Sequence, residues 1–202
     1  MLNYVGPATL ALSLIMTGCS SAMTSKAPIA SIAKPGEKRE PVEWPLKFQV
    51  HYFDAYSFST RGCKVYYGNM WRRLDSEDEL RISSDQLGEG YPGVLAARMG
   101  PIPNFPKPAK VSWVSQDGTS LEAEVDIGEI FSDELVRHNL RREDVSPGGP
   151  GPGVMPGIIL EVNDRTINVY MRAHISTAEL QEPGNRHSNF RNDLIKVYSR
   201  TY

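Results

Sequence analysis

From Leu46 to Tyr52 apolar and polar residues take turns, with Leu46, Phe48, Val50 and Tyr52 set against Lys47, Gln49 and His51. That two-residue period predicts a strand with one buried face. An aromatic run continues through Phe53, Tyr56 and Phe58, and a second strand is expected over Cys63–Tyr67, closed by Gly68-Asn69, with Trp71 beyond it. Pro101, Pro103, Pro106 and Pro108 make the stretch from Pro92 to Pro108 a predicted loop, since proline denies a ladder its donor and a helix its φ range. The clearest local signal follows: Lys110–Val114, a Ser115-Gln116-Asp117-Gly118 turn, and a return strand over Ser120–Ile127. On that return strand Leu121, Ala123, Val125 and Ile127 share one face, and Glu122, Glu124 and Asp126 share the other.

The period changes after Gly128. Ile130, Phe131, Leu135, Val136 and Leu140 are spaced for one side of a helix over Gly128–Leu140, with Ser132-Asp133-Glu134 expected to cap its first turn. Pro147–Gly153 consists of proline and glycine alone and predicts a loop. A second hairpin is expected from Ile158–Val162 and Thr166–Met171 through Asn163-Asp164, with Ile167, Val169 and Met171 facing one way and Asn168, Tyr170 and Arg172 the other. His174–Leu180 is ambiguous, and Pro183-Gly184-Asn185 is a turn. Phe190, Leu194, Ile195, Val197 and Tyr198 form a last apolar segment whose spacing suits helix or strand. Together these elements predict a mainly β, α+β fold: an antiparallel sheet or sandwich built from hairpins, with at least one packed helix.

The N-terminal region has another character. Val5–Met16 is apolar, too short to cross a bilayer, and followed by Thr17-Gly18-Cys19-Ser20, the layout of a secretory signal. A small residue followed by cysteine resembles the lipobox of bacterial lipoproteins. The resemblance implies acylation of Cys19 and cleavage before it, and Ser20 in the following position implies the periplasmic face of the outer membrane. Residues 20–43 are dominated by Ser, Ala, Lys and Pro, with too little apolar surface to fold, so they read as a tether. Such a linker would hold the folded part on the order of 25–30 Å from the lipid. The expected organisation is a signal over residues 1–18, a tether over residues 19–43 and one β-rich domain over residues 44–202.

Charge and chemistry narrow the function. The net charge is −2 and no basic stripe is evident, which argues against nucleic-acid binding. With Cys19 acylated, Cys63 is the one remaining cysteine, so no internal disulfide is possible and a buried, inert thiol is expected. Serine-hydrolase, zinc, phosphate-loop and dinucleotide motifs are absent. His51, His138, His174 and His187 are scattered, and although His174 and His187 could converge, no catalytic residue, metal site or cofactor is assigned. Acidic residues supply the candidate partner-binding positions: Asp75, Glu77, Asp78 and Glu79 in one cluster, and Glu122, Glu124 and Asp126 on the return strand. The Pro147–Gly153 loop is a third candidate contact element. For each of these a plain solvated surface is the alternative.

The Cys19 motif, the aromatic first strands from Trp44 to Tyr67, and Pro106-Lys107-Pro108-Ala109-Lys110-Val111-Ser112-Trp113-Val114-Ser115 leading into Asp117-Gly118 resemble a family of bacterial lipoproteins of unknown function. Some of its members are encoded beside phospholipase-type effectors of type VI secretion systems. The resemblance implies a periplasmic immunity protein that binds and neutralises a lipase-like effector, without catalysis of its own. A structural or assembly lipoprotein of the envelope is the alternative, and a periplasmic hydrolase a third.

Overall fold

The computed structural model describes residues 43–147, 149 and 154–202. Cys19, the signal, the tether up to residue 42 and most of the Pro147–Gly153 run lie outside the described residues. In chain order the strands are β1 (Val50–Phe58), β2 (Thr60–Tyr67), β3 (Met70–Arg73), β4 (Met99–Pro103), β5 (Ala109–Ser115) and β6 (Ser120–Val125). A one-turn helix, α1 (Ile127–Ile130), precedes β7 (Gly157–Asn163), β8 (Thr166–Arg172), β9 (Ile175–Ser176), β10 (Phe190–Arg191) and β11 (Leu194–Thr201). They form a five-stranded sheet in the order β11-β8-β7-β1-β4, a four-stranded sheet in the order β3-β2-β5-β6, and a small β9/β10 ribbon. The fold is mainly β, as the hydrophobic pattern predicts.

The two larger sheets share one core. Phe53, Ala55, Ile158, Leu160, Val162, Ile167, Val169 and Met171 from the first meet Cys63, Val65, Tyr67, Val111, Trp113 and Val125 from the second. Both expected hairpins form, β5/β6 and β7/β8. In the first turn Asp117 accepts from Ser115 Oγ (2.5 Å) and from Thr119 N–H (2.9 Å), and Gly118 takes φ +88°. These hydrogen bonds, Ser115 first, hold the Asp117 carboxyl well below the usual carboxylate range. The final apolar segment is resolved as strand β11, an edge partner of β8.

Four expectations change. First, β1 lies parallel to β7, from Tyr52↔Gly157 to Phe58↔Asn163, so the larger sheet is mixed rather than antiparallel throughout. Second, the alternation over Leu46–Tyr52 breaks in the middle: Leu46 and Phe48 are buried, and then His51 and Phe53 are, which puts His51 on the core side. Leu46 and Phe48 belong to a separate segment held by Phe48 N–H to Glu134 O (3.0 Å) and Val136 N–H to Leu46 O (2.9 Å). Third, that same pairing replaces the helix expected over Gly128–Leu140. Only Ile127–Ile130 is helical, capped by Asp126 rather than by Ser132-Asp133-Glu134, and Glu134 at φ +56° leads the chain out. Ile127 and Phe131 do share a buried side at helical spacing, but Leu135 and Val136 pack by pairing with the segment at Lys47. Fourth, the proline-rich stretch contains β4. Asn104 N–H bonds to Gln49 O (2.9 Å), so alternate residues face β1, and Pro101 and Pro103 take the outward positions where a missing N–H costs nothing.

The other face of the larger sheet is covered as well. A 3-10 segment over Ser84–Gly90 and the chain after it lay Leu87, Tyr91, Leu95 and Ala97 over Phe58, Ile159 and Tyr170. Burial on both faces explains why the apolar residues of β1, β7 and β8 run on instead of alternating.

Candidate interaction surface

The strand period of β2 sends Cys63, Val65 and Tyr67 into the core and Lys64 and Tyr66 to solvent. Cross-strand pairing then builds two rows on the outer face of the four-stranded sheet. One runs Trp71, Tyr66, Lys110, Glu124; the other runs Arg73, Lys64, Ser112, Glu122. Trp71 is 67 % exposed and its ring lies 4.9 Å from that of Tyr66. Around this aromatic pair the charges largely compensate one another, through Lys110–Glu124 (3.6 Å), Lys64–Glu77 (2.8 Å) and Arg73–Glu77 (3.5 Å). The Lys64 hydrogen bond, followed by the charges of Lys64 and Arg73, lowers the Glu77 carboxyl pKa.

Beside the aromatic pair a groove of about 770 Å³ opens between β3 and β4, the edge strands of the two sheets. Met70, Trp71 and Arg72 line one side, and Arg98, Pro101 and Pro103 the other. Arg72 Nη2 donates to Asp54 Oδ1 (2.6 Å), while its Nε is buried with no hydrogen-bond partner among the described residues. Arg98 has no carboxylate within ion-pair distance among the described residues.

Of the acidic positions singled out from the sequence, Glu77, Glu122 and Glu124 lie on this outer face, Glu77 against Lys64 and Arg73 and Glu124 against Lys110. Asp75 does not belong with them. It is 9 % exposed, accepts from Thr60 Oγ1 (2.6 Å) and from Cys63 N–H, and so ties the chain after β3 to β2. An acidic cluster in sequence is split here because a buried main-chain donor needs an acceptor. Burial first, and the Asp75 charge second, push the Cys63 thiol pKa up, as expected of an inert cysteine. Asp126 leaves the row too, because β6 ends at Val125 and its carboxylate accepts from Glu129 N–H (2.9 Å) as the cap of α1. Asp78 and Glu79 are exposed and make no ion pair among the described residues.

The histidines have separate surroundings. His51 is fully buried, with Nδ1 2.9 Å from Asn104 Oδ1 and Nε2 3.0 Å from Tyr67 OH. Asn104 Nδ2 donates to Phe48 O (2.8 Å), which leaves Oδ1 to accept from His51 Nδ1–H and Nε2 to accept from the tyrosine. Desolvation holds this neutral imidazole below its ordinary pKa. His174 stacks on Phe190, and His187 accepts from Arg186 Nε (3.2 Å); neither hydrogen-bonds a carboxylate or a serine among the described residues. No group of three potential metal ligands occurs among the described residues.

One polar site escapes the sequence patterns altogether. Glu161 is fully buried on the outer face of the larger sheet, where Tyr91 OH, Tyr170 OH (2.9 Å) and Asn168 Nδ2 (2.9 Å) all donate to it. Burial, and then the Glu161 carboxylate, push the Tyr170 hydroxyl pKa up. Its signal in the sequence is a lone acid inside the apolar Ile158–Val162 run. Comparison with protein-family profiles, with curated proteins and with solved structures finds no match to this chain.

Proposed function

We propose that this chain is a lipid-anchored protein of the bacterial envelope, held through Cys19 at the periplasmic face of the outer membrane, that binds and neutralises a secreted lipase-like effector as an immunity protein. The observation that carries the binding role is the Trp71–Tyr66 pair on an exposed sheet face beside the β3/β4 groove. A tryptophan left two-thirds in water gains little for the fold, whereas at an interface tryptophan is among the residues that contribute most. The lipobox-like motif and the family resemblance supply the location and the class of partner. Anchoring this chain at the membrane under attack raises its effective concentration there, so inhibition needs only a preformed surface.

The test expresses, in the periplasm of a sensitive host, whichever neighbouring gene encodes a lipase-like effector, with and without the chain. Protection by the chain is expected, and equal killing in both strains overturns the immunity reading. Normal effector activity combined with an envelope defect on deletion would instead mark an assembly role.

A further inference from the structure

The outer face, the groove and the free edge of β3 converge on one place, and their geometry specifies more than a general affinity for protein. Leu74 N–H bonds to Cys63 O (2.8 Å), so by antiparallel alternation Arg72 and Met70 bond to β2 while the N–H and C=O groups of Trp71 and Arg73 turn outward, away from the sheet. These main-chain groups lie at the lip of the groove. Across it, Pro101 and Pro103 take the outward positions of β4 and cannot donate, so that side offers an apolar wall rather than a second strand edge.

We propose that β3 and the adjoining groove take up an extended, acidic segment of a protein partner as an added strand. This deepens the binding role given above and rests on it. Main-chain bonding at Trp71 and Arg73 supplies affinity, and the two-residue period of the guest sends alternate side chains into the groove. There the guest meets Arg98, which is exposed and has no carboxylate within ion-pair distance among the described residues. A carboxylate suits its guanidinium, which binds one through paired hydrogen bonds. Apolar residues beside it pack on Met70, Pro101 and Pro103. The opposite edge of the sheet, β6, presents Glu122 and Glu124 and repels such a guest.

Amide hydrogen exchange on the full chain in detergent tests this with two synthetic probes of about eight residues, one alternating valine with glutamate and one alternating valine with lysine. The acidic probe is expected to slow exchange at Trp71 and Arg73 by about tenfold at saturation, the basic probe to leave it unchanged, and Arg98→Glu to abolish the protection. No slowing, equal slowing by both probes, or protection already complete without a probe overturns the proposal; the last result would assign the edge to the chain's own N-terminal segment or to a second copy. A separate arm measures effector affinity. Wild-type binding that survives both Trp71→Ala and Arg98→Glu defeats the groove and leaves the immunity role standing. If the effector does not bind at all, the immunity role fails and the peptide arm alone decides the groove.

Discussion

His51 shows how a single side chain couples this fold to pH. Its ring is enclosed by Phe48, Phe105 and Tyr67 and is bonded as the neutral form. Because its folded pKa lies below the ordinary 6.5, the unfolded chain binds the proton more readily than the folded one. Stability is therefore present above pH 6.5 and is lost as pH falls from there toward the folded value. His138, desolvated beside Trp44, pulls in the same direction. Urea titrations at a series of pH values should show falling stability below neutrality, with a shallower slope for His51→Gln; an unchanged slope would assign the effect elsewhere. None of this could be foreseen from His51 in the sequence, where alternation assigns it to solvent. The half-turn slip between Phe48 and His51 depends on a segment near Leu135 that is remote in sequence.

Among the elements, the strap from Ser84 to Ala97 is held to the larger sheet by side-chain hydrogen bonds, among them Asn163 Nδ2 to Ser84 Oγ (2.9 Å) and Arg172 Nη2 to Gly93 O (2.7 Å). Tyr91 OH reaches Glu161, and Tyr56 OH donates to Ala96 O (2.7 Å). Replacing Glu161 with leucine leaves two hydroxyls and an amide without their acceptor, and should cost about 3 kcal/mol in chemical denaturation, with faster amide exchange in the strap. Tyr91→Phe removes one donor and should cost about 1 kcal/mol. The β5/β6 and β7/β8 hairpins were legible in the sequence because Asp117-Gly118 and Asp164 encode their turns locally, although the second turn falls at Asp164-Arg165, one residue beyond the expected Asn163-Asp164, and Asn163 pairs with Thr166. The helix ends at Ile130, short of the period that runs on to Leu140, because Leu135 and Val136 satisfy a helical period and a strand pairing equally, and the second depends on Leu46. The groove could not be foreseen, since β3 and β4 belong to different sheets and meet only in the folded chain.

For the whole molecule, the proposed anchor at Cys19 and the folded domain make separable predictions. Cys19→Ala should leave the secondary structure of the domain unchanged while moving the protein out of the membrane fraction or halting its processing, and unchanged fractionation would remove the lipid from the account. On the proposed immunity role, protection against the effector should then fall even though affinity in solution does not, because the proposed tether would contribute proximity rather than contacts. The pairing of β1 with β7 bears on how such a protein comes into being. Every strand of the smaller sheet lies in the connection between these two neighbours, so the central ladder closes only after Gly157 has joined Tyr52. Such non-local closure is slow, and a chain emerging N-terminus first can form the smaller sheet but not the larger one until β7 has appeared. With the proposed export, the larger sheet would complete itself only once the domain is almost fully across, and until then β1 would wait without its parallel partner.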